Sequence, residues 1–92
     1  MDKTEIYHKA IQRYGIENQI VVAIEEMSEL QKELCKRLRG DFDAGNIIEE
    51  IADVEIMLEQ LILDAHCRGS VDMEKHNKIA RLAEQLGMEV DE

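Results

Sequence analysis

The sequence predicts an all-α protein, an antiparallel helical bundle of about four helices that works as an oligomer, and three observations predict it. Hydrophobic residues make up 45% of the chain but aromatics only 3%, so the core has to be built from Leu, Ile, Val, Met and Ala, the side chains that fill helix interfaces. There is no proline at all, so nothing forces a break inside a helix. Two long stretches then carry apolar residues at the three-and-four spacing of a buried helical face, Ala23, Met27, Leu30, Leu34 and Leu38 in one and Ile47, Ile51, Val54, Leu58 and Leu61 in the other. Nothing reads as strand. The 92 residues make one domain, 1–92, on size alone. A chain of this size buries only roughly 60 to 65% of its unfolded surface, and a second copy covers what remains.

The elements follow in order. A first helix spans about Thr4 to Tyr14, capped by Asp2 or Thr4, stopped at Gly15 and burying Ile6, Ala10, Ile11 and Tyr14. The second runs from about Glu17 to Arg39 and ends at Gly40, with Lys36, Arg37 and Arg39 at the negative end of its dipole. A third starts at Asn46, where Asn46 and Glu49 suit a capping box, and continues to Arg68 before Gly69. The fourth begins at Ser70 or Asp72 and stops at Gly87, leaving Met88 to Glu92 as an acidic tail.

Within the two long helices one acidic pattern is written twice. Residues 24 to 34 and 48 to 58 repeat Ile-Glu-Glu at an offset of 24. Each copy sets two carboxylates one helical turn apart, Glu26 with Glu29 and Glu50 with Asp53, beside the apolar stripe. If the stripes pack as an antiparallel hairpin, Glu26 meets Asp53 and Glu29 meets Glu50, and residues Gly40 to Gly45 are long enough to bring the four acids level. Four facing carboxylates either take up protons or bind a hard cation. Oxygen ligands alone select Mg²⁺, Mn²⁺ or Ca²⁺, and Mg²⁺ held with open water positions implies a phosphate-bearing substrate. A single such pair is ordinary helix surface; two in register across a hairpin are not.

Charge narrows the partners. With 21 acidic against 11 basic residues the formal charge is −10, a field that opposes polymeric nucleic acid but not a small nucleotide arriving with its own cation. Cys35 and Cys67 lack zinc spacing and read as free thiols. No apolar run approaches the ~18 residues of a membrane span, and the first residues carry no apolar signal core. The expectation is a cytoplasmic protein with no membrane partner.

The arrangement Glu26-x-x-Glu29, 20 intervening residues, then Glu50-x-x-Asp53 resembles the signature of the MazG-like all-α nucleoside triphosphate pyrophosphohydrolases, a superfamily that includes dimeric dUTPases and dCTP pyrophosphatases. Segments Ala23 to Leu30, Lys36-x-x-Arg39-Gly40 and Glu49 to Val54 are similar to its small stand-alone, phage-type or bacterial members. The likeness covers roughly residues 13 to 62, and the outer helices only by length and position. It implies cleavage of the α–β phosphate bond of an NTP or dNTP, giving the monophosphate and pyrophosphate, with Mg²⁺ as cofactor and Mn²⁺ as substitute. It implies Glu26, Glu29, Glu50 and Asp53 as metal ligands and Glu25 as the adjacent acid that helps ligate or activate water. Dimers and tetramers are both compatible with it.

Holding the triphosphate tail requires cations, and the candidates are Lys36 and Arg39, with Lys75, Lys78 and Arg81 on the fourth helix. The first two equally suit a helix C-terminus, and Glu74 with Lys78 makes an ordinary i, i+4 pair. Tyr7, Tyr14 and Phe42 can stack on a base or simply pack. Asp41 to Asn46 opens like a calcium loop, but Asn46 replaces its glycine and Ala52 its final glutamate. Glu5-x-x-His8 is one copy of a motif that di-iron bundles need twice. The alternative to an enzyme is a non-catalytic helical assembly or regulatory module with a structural cation site.

Overall fold

The computed structural model describes residues 1–41 and 43–89, and among them it contains four helices and no strand. They are α1 (Lys3–Tyr14), α2 (Ile16–Leu38), α3 (Ala44–Ala65) and α4 (Arg68–Gln85). None is long and apolar enough to cross a membrane. Phe42 and the end of the acidic tail, 90–92, lie outside the described residues.

Local chemistry explains the ends. Asp2 caps α1 by accepting from the Glu5 N–H, and Gly15 closes it with φ 86° and ψ 145°, a backbone conformation that costs any residue with a Cβ. The same glycine opens α2, so the elbow depends on it. α3 starts earlier than the sequence suggests. Its cap is Asp43, whose carboxylate accepts from the Gly45 and Asn46 N–H groups, and Asn46 is therefore inside the helix. The helix also ends earlier, at Ala65, because His66 turns into the left-handed region at φ 52°. Gly69 consequently lies inside α4, which begins at Arg68.

The long helices form an antiparallel hairpin: Gln19 near the start of α2 donates to Gln60 near the end of α3 at 2.7 Å, while Glu26 meets Glu50 and Asp53. The contact line takes only part of the apolar stripe, with Ala23 buried and Met27, Leu30, Ile47, Val54 and Leu61 half-buried. Ala23 and Met57 are its buried apolar residues, and Gln19, Glu33 and Gln60 are buried alongside them. Residues 19, 26 and 33 recur every seven along α2, a spacing that keeps one edge of a helix against its neighbour. So Glu26, Glu33 and Glu50 lie in the seam, while Glu29 and Asp53 stay exposed at its edge. The rest of each stripe is exposed, Leu34 and Leu38 on α2 and Ile51 and Leu58 on α3, and Ile20 and Ile24 are exposed on α2 as well.

Both exposed halves turn the same way. They are offset by about 100° in the same rotational sense from the contact line, and on two antiparallel right-handed helices that brings them out on one side of the hairpin. Glu25, Glu29, Glu49 and Asp53 are offset in the opposite sense and open on the other side. The hairpin thus has an apolar face and an acidic face. Helix α1 touches both α2 and α3, whereas α4 touches only α3. On α1, Ile6 and Tyr14 are exposed while Tyr7, Ala10 and Ile11 are half-buried, so the helix covers less of the core than its pattern suggests. The chain is open for its size. Its radius of gyration is 16.4 Å against about 12 Å for a compact chain of this length. Its accessible surface is 7412 Å², about 1,900 Å² above the roughly 5,500 Å² of a compact monomer of this mass.

Candidate metal centre

Where the two acidic copies cross, the side-chain oxygens of Glu26, Glu50 and Asp53 lie within 4.8 Å of one another. Helix α2 supplies one and α3 two. Glu26 and Glu50 are half-buried in the seam, and Asp53, one turn beyond Glu50, is exposed at its rim. One oxygen of Glu50, Oε2, is buried without any hydrogen-bond partner. Buried carboxylate oxygens are normally satisfied, so an orphan of this kind marks either a strained group or one awaiting a cation or water.

The surrounding charge points the same way. Burial lifts the Glu26 carboxyl above its ordinary value, helped by a hydrogen bond to Asp53 and by the charges of Asp53, Glu50 and Glu29. Burial likewise lifts Glu50, followed by repulsion from Asp53, Glu29, Glu33 and Glu49. Without a cation, a proton held on Glu26 and shared with Asp53 is the cheapest way to lower this repulsion. A hard divalent cation relieves the same repulsion. It needs oxygen ligands at about 2.0 to 2.6 Å, and the three side chains offer oxygens within 4.8 Å of one another. The residues present therefore fit an oxygen-ligated Mg²⁺, Mn²⁺ or Ca²⁺, and the set offers no sulfur or imidazole that would favour a softer metal.

No family model matches this chain, and no curated protein or solved structure matches it either. The likeness to the MazG-like enzymes accordingly stands on the motif residues themselves.

The other expected residues divide. Glu29 is exposed, and it acts electrostatically on both Glu26 and Glu50 without joining the three-residue cluster. The antiparallel geometry explains this, since the seam passes through Glu26 and Glu33 and leaves Glu29 on the acidic side. Glu25 and Glu49 are exposed on that same side. Glu33 is buried at 7% exposure and paired with Lys36 at 3.1 Å, so Lys36 is engaged within its own helix. Arg39 is exposed at the cap of α2. Lys75, Lys78 and Arg81 stand exposed on α4, and among the described residues no ion pair joins them to the acids.

A second polar cluster escaped the sequence reading. The Tyr7 hydroxyl donates to Glu59, and Lys3 lies 3.6 Å from the same carboxylate. The hydrogen bond pushes the Tyr7 phenol up to about 12, and it holds Glu59 below the ordinary value, with Lys3 and Arg68 assisting. These residues line an open cavity of about 510 Å³ with Ile62, Leu63 and His66. No local motif announces this contact between residues 52 positions apart. The buried Gln19–Gln60 pair had a signal in hindsight: polar residues every seven positions on a helix whose other seam residue, Ala23, is apolar.

Proposed function

We propose that the protein is a Mg²⁺-dependent nucleoside triphosphate pyrophosphohydrolase, cleaving the α–β phosphate bond of an NTP or dNTP to release the monophosphate and pyrophosphate. The observation that carries this reading is the convergence of Glu26, Glu50 and Asp53, one of which has a buried oxygen without a partner, at the crossing of two copies of one acidic pattern. When bound, Mg²⁺ would neutralise triphosphate charge and acidify the attacking water. The chain's own part is to hold and to orient. Glu26, Glu50 and Asp53 would supply the ligand oxygens and the exposed Glu29 would complete the set, while the resemblance assigns the exposed Glu25 to help ligate or activate water. Seating the acids in the helix seam fixes their spacing before substrate arrives.

Incubation with the common NTPs and dNTPs plus Mg²⁺ tests the reading by pyrophosphate release. Turnover is expected for the native protein and not for Glu50→Gln or Asp53→Asn, and undiminished turnover in those variants refutes the site.

The same reading includes self-association as a dimer or tetramer. Its support is the excess surface and the apolar face of Ile20, Ile24, Leu34, Leu38, Ile51 and Leu58, on the side of the hairpin away from the acids. A standard interface removes about 800 Å² per partner, well within that excess, and a second copy seated there leaves the acidic side open to nucleotide. Sedimentation giving only a 10.6 kDa species at micromolar concentration overturns it. We place the protein in the cytoplasm, where nucleotides are abundant and thiols such as Cys35 and Cys67 stay reduced. The exposed apolar face also favours a second reading, a non-catalytic assembly module with a structural cation, which predicts no turnover with any nucleotide.

A further inference from the structure

Lys36 was the phosphate-binding candidate nearest the acids, and its position argues for a different task. Glu33 lies seven residues beyond Glu26 on the same edge of α2, so it enters the seam two turns further along, towards the start of α3. It is 7% exposed, and its charge acts on Glu50. A buried carboxylate needs a partner to remain ionised. Lys36 provides one, with Nζ 3.1 Å from Glu33 Oε2, and is itself only 33% exposed along its side chain. To reach a triphosphate the ammonium would have to leave Glu33 uncompensated inside the seam.

We propose that Lys36 is a positioning residue that sets the charge of the metal centre: paired with buried Glu33, it limits the negative field at Glu50 and so tunes how tightly Glu26, Glu50 and Asp53 hold a divalent cation. The inference rests on the Mg²⁺ reading above and adds a residue to it. Because the effect is electrostatic, the two members of the pair act with opposite sign. Removing the Lys36 charge deepens the negative field and tightens Mg²⁺ binding. Removing the Glu33 charge leaves Lys36 uncompensated and weakens it.

The test is titration of the 92-residue chain with Mg²⁺ alone, without nucleotide, by calorimetry, or with Mn²⁺ by paramagnetic resonance, at low and at high salt. Expected are affinity changes on the order of 3- to 10-fold at low salt, tighter for Lys36→Gln and weaker for Glu33→Gln, both shrinking at high salt. The double variant and Lys36→Arg should return to near-native affinity. Circular dichroism checks the fold of each. If Lys36→Gln does not fold, Glu33→Gln and Lys36→Arg still decide the sign and the rescue. Weakening in both single variants means a purely structural pair and overturns the inference, as does native affinity in both. A raised KM for nucleotide with unchanged Mg²⁺ affinity in Lys36→Gln makes Lys36 a phosphate contact and overturns it too. In all three cases the native protein still binds Mg²⁺, so the metal reading survives. A native protein that binds no divalent cation sinks both.

Discussion

Helix α3 carries two carboxylates, Glu50 and Glu59, in opposite chemical states, and the contrast separates a structural acid from a functional one. Glu59 is satisfied. It accepts from Tyr7, lies 3.6 Å from Lys3 and is held below the ordinary carboxylate range. Glu50 has a buried oxygen with no partner, stands among other acids and is pushed up. The difference lies in what each helix face meets: α1 brings a phenol and an ammonium to Glu59, whereas α2 brings more acid to Glu50. The first arrangement ties α1 to α3 and asks for nothing further. The second gains stability only when something positive arrives.

The sharpest way to break this contrast is kinetic. Pyrophosphate release should fall on the order of 100-fold or more in Glu50→Gln and stay within about threefold in Tyr7→Phe, whose partner serves the α1 contact. Equal losses in both would erase the distinction between the two acids.

Melting comes next. At a Mg²⁺ concentration about 100 times its Kd, mass action raises the native midpoint by on the order of 10 °C. Scanning calorimetry should find that gain in Tyr7→Phe and not in Glu50→Gln. Without metal, Tyr7→Phe itself should lower the midpoint by roughly 4 to 8 °C, corresponding to about 1 kcal/mol for a partly exposed, charge-assisted hydrogen bond.

Smaller and more diagnostic is the pH dependence. The folded-state pKa values of Glu26 and Glu50 lie above the reference of 4.5, so the folded chain keeps protons that the unfolded chain has released. Their contribution is complete below 4.5 and is lost as pH rises through the raised values. The metal-free midpoint should therefore fall as pH climbs above 4.5, and saturating Mg²⁺ should cancel the fall. Glu59 behaves in reverse. Its pKa is depressed from 4.5, so its contribution is present above that value and disappears as pH drops through the folded one. The gap between native protein and Tyr7→Phe should close in acid. Least affected of all is Lys3→Gln, where an ion pair with a 68% exposed lysine side chain is worth less than about 0.5 kcal/mol, visible only as a slight shift in a denaturant midpoint.

Much of this was readable from residue order. The two long helices, their antiparallel pairing and the meeting of Glu26 with Asp53 follow from periodicity and the offset of 24, because helical geometry is stiff over such distances. Which of the acids enter the seam was not. Apolar counting sets the contact line along Ala23, Met27 and Leu30, yet the helices are rotated so that Gln19, Glu26 and Glu33 enter the seam. Periodicity defines a stripe wide enough for two neighbours and is silent on which neighbour takes which half. The helix ends moved for a similar reason: whether Asp43 or Asn46 caps α3 depends on how the chain arrives from the preceding turn.

By itself, the sequence determined the helices, their order and a doubled acidic pattern on one edge of each long helix, since these depend on backbone periodicity and side-chain chemistry within a few turns. Only the tertiary structure decided that one Glu50 oxygen is buried without a hydrogen-bond partner, that Glu33 is buried against Lys36, and that Glu59 is satisfied by Tyr7. Those outcomes depend on which faces meet across space. Solvation and charge, unlike periodicity, are properties of a place rather than of a residue.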